Sequence, residues 1–109
     1  MSITIEQIIK NTHSTFASDQ VDPGKQLLCA AMGLCGESGE FIDVVKKNYE
    51  QGRELNTEKL VKELADVYYY VVLGCFALGL TKEDLTKVLD AKLSARYPNG
   101  FVSKDHNGE

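Results

Sequence analysis

Two pairs of carboxylates stand at helical spacing in this chain, Glu37-Ser-Gly-Glu40 and Glu63-Leu-Ala-Asp66. Residues three apart on a helix share a face, with roughly 5–6 Å between Cβ atoms, so each pair can aim two acids at one point. A single pair of this kind is commonly just a solvated helix face, and its surroundings decide. At about 100° per residue, the main apolar stripe of the first pair's helix is Leu27, Ala31, Leu34, Phe41 and Val45. Glu37 and Glu40 fall on the flank of that stripe, with Val44 in the angular gap between them. Beyond Asp66 the chain is apolar nearly all round, the mark of a buried helix. Tyr70 and Leu73 continue the Asp66 side of it.

Carboxylates gathered between two packed helices repel one another unless a cation joins them. An all-oxygen set suits a hard ion, Mg²⁺ or Mn²⁺, better than zinc. A di-iron bundle uses Glu-x-x-His, and neither His13 nor His106 falls at that spacing. Gly33, Gly36 and Gly39 accompany the first pair. Each glycine costs a helix interior about 0.5–1 kcal/mol relative to alanine. Gly33 and Gly36 project beside Glu40, and Gly39 a little further round. They clear side chains from the acid flank, for a ligand or for a closely packed helix. Positive charge for a phosphate is expected from Lys92 and Arg96, four apart on one face. Lys46 and Lys47 read as surface charges.

These residues need rigid elements to position them, and the punctuation supplies helices. Ile5, Ile8, Ile9, Thr12 and Phe16 follow helical spacing, with Thr4 and Gln7 offering a capping box. Asp22-Pro23 starts a second helix, predicted to run to about Glu50 and stop at Gly52. Asn56 or Thr57 caps a third, predicted to continue to Gly79. Thr81 caps the fourth, with Glu83 and Asp84 in its first turn, where the helix dipole favours acids. That helix carries Leu85, Val88, Leu89 and Leu93 and ends before Pro98. Only "VYYYVV", at 67–72, is rich in β-formers. The expected fold is all-α with four helices: one domain over 1–102, then a polar tail over 103–109.

Bulk properties narrow the class. The 109 residues leave room for one domain. A chain this short buries a modest share of its surface, which oligomerisation would increase. A net charge of −4 argues against a nucleic-acid groove, which carries a basic stripe. The longest uncharged run, 67–80, is shorter than the roughly 20 residues of a membrane span. The N-terminus lacks the positive region of a signal peptide. Cys29, Cys35 and Cys75 form no CxxC pair and sit in apolar runs, as buried reduced thiols do. A cytoplasmic protein with no membrane partner is expected.

Three blocks in order, "GESGE" at 36–40, "ELADVYYY" at 63–70 and "KLSARYPNGF" at 92–101, resemble the MazG-like group of all-α nucleoside triphosphate pyrophosphohydrolases. The resemblance covers about residues 27 to 102. It implies a four-helix protomer that assembles as a dimer or a dimer of dimers. It also implies Mg²⁺-dependent hydrolysis of a (deoxy)nucleoside triphosphate to the monophosphate and pyrophosphate. By this resemblance Glu37, Glu40, Glu63 and Asp66 are metal ligands; a glutamate not fully used in coordination, Glu37 or Glu40, is expected to orient or deprotonate the attacking water. Lys92 and Arg96, with Tyr97, match the residues of the phosphate end. Tyr68, Tyr69, Tyr70 and Phe101 are candidates to stack on a base, although helical spacing sends three successive tyrosines in different directions. Two other readings fit the same residues: a related enzyme acting on phosphoribosyl-ATP, and a non-catalytic helical module that dimerises or binds a partner.

Overall fold

The computed structural model describes residues 2–12, 22–52 and 54–100; Phe16, both histidines, Phe101 and the 103–109 tail lie outside them. The described residues form four helices and no strand: α1 (Ile5–Thr12), α2 (Pro23–Glu50), α3 (Thr57–Ala77) and α4 (Lys82–Arg96). The chain is all-α, as its periodicity predicts.

Each helix begins where a side chain can satisfy its orphan N–H groups. Thr4 and Gln7 close a reciprocal box at α1, with bonds of 2.8 and 3.1 Å. Asp22 accepts from the Lys25 N–H at 3.3 Å, with Pro23 at the first helical position of α2. Asn56, of the two candidates, caps α3 by accepting from the Lys59 N–H at 3.1 Å. Thr81 and Asp84 form the box at α4, both bonds 3.0 Å. Past the ends of α2 and α3, Gly52 and Gly79 adopt φ of 65° and 70°, a region in which a Cβ is strained. The third helix therefore stops at Ala77, two residues short of the predicted end.

The chain divides into two compact units, Met1–Gly79 and Leu80–Glu109. In the first unit α2 packs along α3, and α1 packs on α3. Its core joins Ile9, fully buried, to Ala30, Val72 and Leu73, with Ile5, Cys29, Tyr69, Tyr70 and Phe76 packed around them. Burying side chains the size of Ile9 or Leu73 stabilises a fold by about 1.5–3 kcal/mol each. Thr12 and Tyr69 share a hydroxyl–hydroxyl hydrogen bond of 2.7 Å, which ties α1 to α3. The β-forming run at 67–72 lies inside α3, where helical spacing lets it feed this core.

Three expectations change. The buried line of α2 is Gln26, Ala30 and Val44, one residue back from Leu27, Ala31 and Val45; of the predicted stripe, Leu34, Phe41 and Val45 are half-buried and Leu27 and Ala31 exposed. The shift is a turn of about 100° about the axis, one residue's worth. The all-round apolar stretch of α3 is buried at Val72, Leu73 and Cys75, whereas Tyr68 and Leu78 are exposed. Of the cysteines, all free thiols, only Cys75 is buried, while Cys29 is half-buried and Cys35 exposed. The second unit carries α4, none of whose residues is buried.

Candidate metal centre

The turned face of α2 places Glu37 on the inward line, in register with Ala30 and Gly33. Glu63 and Asp66 come from the second and third turns of α3. One carboxylate oxygen from each of Glu37, Glu63 and Asp66 lies within 4.8 Å of the other two. Glu37 and Glu63 are half-buried and Asp66 is exposed, so the cluster opens to solvent on one side. Glu37 Oε2 and Glu63 Oε2 are shielded from solvent and have no hydrogen-bond partner. A buried acceptor left unpaired is costly, and two ionised carboxylates offer each other no donor. A proton between them or a cation on both relieves the arrangement.

The electrostatics of Glu37 carry the same message. Burial pushes its carboxyl up to about 7. The charges of Glu40 and then Asp66 add to this, as does the closeness of the Glu63 and Glu40 carboxyls, with which a protonated Glu37 could share its proton. Glu40 is exposed and outside the close set of oxygens, yet near enough to act on Glu37. The all-oxygen donor set and the two orphaned oxygens fit a hard divalent cation. On the same helices Lys47 pairs with Asp43 at 3.0 Å and Lys62 with Glu58 at 3.5 Å.

The glycines divide in role. A Cβ on Gly33 would land inside the Tyr70 ring, whereas Cβ atoms on Gly36 and Gly39 would meet open space. Gly33 is therefore explained by close packing, and the other two leave their flank clear. Tyr69 and Tyr70 face each other edge-on, with ring centroids 5.2 Å apart, so both are committed to packing. Sequence reading did not single out Lys59, which lines a polar cleft of about 270 Å³ with Lys47, Asn48 and Asn56. Its spacing of four residues before Glu63 was the available signal.

Residues 26–101 match the MazG nucleotide pyrophosphohydrolase domain. The chain belongs to this family. The match takes in α2, α3 and α4, and with them every candidate residue named above. A MazG domain supports a nucleotide pyrophosphohydrolase function, and the family is typically metal-dependent, in keeping with the Glu37, Glu63 and Asp66 cluster. No curated protein and no solved structure matches the chain. In the second unit Lys92 and Arg96 are exposed on α4. Tyr97 is half-buried and donates its N–H to the Leu93 carbonyl at 2.8 Å. It borders a cavity of about 460 Å³ with Leu93, Ser94 and Gly100. Among the described residues no single helix is long and apolar enough to cross a membrane.

Proposed function

We propose that this MazG-family chain hydrolyses (deoxy)nucleoside triphosphates to the monophosphate and pyrophosphate, with water attacking the α-phosphorus. The observation that carries the proposal is the convergence of Glu37, Glu63 and Asp66 oxygens within 4.8 Å, two of these residues holding a buried oxygen without a partner. These three residues would hold Mg²⁺, with Glu40 completing the set from its exposed edge; Mn²⁺ would substitute. Bound there, the ion supplies charge neutralisation for phosphate oxygens and a lowered pKa for a coordinated water.

The remaining steps belong to side chains. Glu37 or Glu40, whichever is less engaged in coordination, orients the attacking water and accepts its proton. Lys92 and Arg96 donate charge-assisted hydrogen bonds to the departing phosphates, with Tyr97 beside them on the chain. The family match runs across both compact units, which supports treating residues 1–102 as one catalytic domain. Net negative charge supports a small nucleotide over a nucleic-acid polymer as substrate. Exposed apolar side chains on α2, α3 and α4 support a homodimer or homotetramer. The chain is placed in the cytoplasm by the same proposal.

Pyrophosphate release from the common ribo- and deoxyribonucleoside triphosphates, measured with Mg²⁺ and with chelator, tests the proposal. Metal-dependent release from at least one is the expected result. Release from none, in folded and monodisperse protein, would overturn it, and release from phosphoribosyl-ATP alone would redirect it to that substrate.

A further inference from the structure

The residues between α2 and α3 pair off in antiparallel order. Ala30 faces Gly74, where an added Cβ would sit 3.7 Å from the alanine methyl. Gly33 faces Tyr70, where an added Cβ would overlap the ring. Glu37 then meets Glu63 and Asp66. Gly33 precedes Glu37 by four residues and Tyr70 follows Asp66 by four, so Glu37 and Asp66 each lie one turn, about 5.4 Å, from this contact, and Glu63, seven residues before Tyr70, lies about two turns away. Tyr69 packs on the Tyr70 ring edge-on and is itself bonded through its hydroxyl to Thr12 of α1.

We infer that the Tyr70 ring seated on Gly33 is the positioning contact that sets how closely α2 brings Glu37 to Glu63 and Asp66, and hence the affinity of the centre for a divalent ion. The inference rests on the metal-centre reading for its second half only. A Cβ at position 33 overlaps the Tyr70 ring, so ring or helix must shift. On this proposal α2 is the part that yields, because Tyr69 packs edge-on against that ring. Glu37, one turn along α2, moves with that helix, away from Glu63 and Asp66. Tyr70 acts through its ring, and the hydroxyl is not needed.

The test uses the full chain and Mn²⁺ alone as the probe. Calorimetric Mn²⁺ affinity is measured beside the nuclear Overhauser contact between the Glu37 and Glu63 side chains in metal-free protein. Gly33→Ala is expected to weaken Mn²⁺ binding by about 10–100-fold, the range for residues that orient metal ligands, and to lose the Overhauser contact. Tyr70→Phe should keep both. Folded Gly33→Ala protein with wild-type values in both measurements would overturn the inference. If Gly33→Ala does not fold, Tyr70→Leu decides in its place: weaker Mn²⁺ binding and a lost contact at near-wild-type helicity support the inference, and unchanged values overturn it. Wild-type protein that shows the Overhauser contact but binds no Mn²⁺ would defeat the metal reading, and the contact in Gly33→Ala would still judge the positioning role.

Discussion

At the scale of single residues, the centre gathers carboxylates whose repulsion the proposed cation would relieve. Asp66→Asn and Glu40→Gln preserve shape and remove charge, so both variants should fold normally. Turnover should fall by about 100-fold or more, in line with the loss of a group acting on the transition state. Wild-type rates in either would count against its assigned role. Glu37 adds a pH signature. Its carboxyl rises from 4.5 to about 7 in the fold, so the folded metal-free chain holds this proton more tightly than the unfolded chain. Its contribution to stability is therefore present below 4.5 and lost as pH rises through about 7. In chelator, wild-type protein should lose melting temperature across that window more steeply than Glu37→Gln. Equal slopes would show that Glu37 is not the group responsible.

At the scale of helices, local chemistry was legible and mutual fit was not. Caps are satisfied within three residues of the chain, so Thr4, Asp22, Asn56 and Thr81 announce their helices without tertiary information. Asn56→Ala should accordingly cost about 1 kcal/mol and a few degrees of melting temperature, with Mn²⁺ affinity unchanged. A larger loss would mean that Asn56 does more than start α3. The acid pairs were also legible, because spacing alone puts each on one face. The inward side of α2 was not. Hydropathy favours Leu27, Ala31 and Leu34, whereas Gln26 and Ala30 are the buried residues there and Leu34 is only half-buried. Gly33 lies against the ring of Tyr70, a residue 37 positions further along the chain, and no local pattern encodes that match. Exposed Cys35 follows from the same turn of the helix.

At the scale of the molecule, the buried core is small for the apolar surface the chain carries. Met32 and Leu28 on α2, Val61 on α3 and Val88 on α4 are all more than half exposed. Such side chains favour association when they are numerous on one protein. Light scattering at micromolar concentration should report a dimer or tetramer, and a monomer would remove the self-association proposed here. Three blocks of sequence in order sufficed to suggest the family, and the match over 26–101 agrees with that extent. Substrate choice did not come with it, because Tyr69 and Tyr70 are occupied in packing and the described residues leave Tyr68 as the exposed tyrosine of the three.

Gly36 and Gly39 carry a consequence for protein engineering. Their vacant surroundings mean that alanine at either position adds helix propensity with nothing to displace, worth about 0.5–1 kcal/mol per site. A heat-tolerant version of the chain is thus two substitutions away, in the very helix that carries half the acids. Raised melting temperature with full turnover would make these glycines dispensable slack. Raised melting temperature with lost turnover would mean that the enzyme's heat tolerance is capped by the clearance its reaction needs.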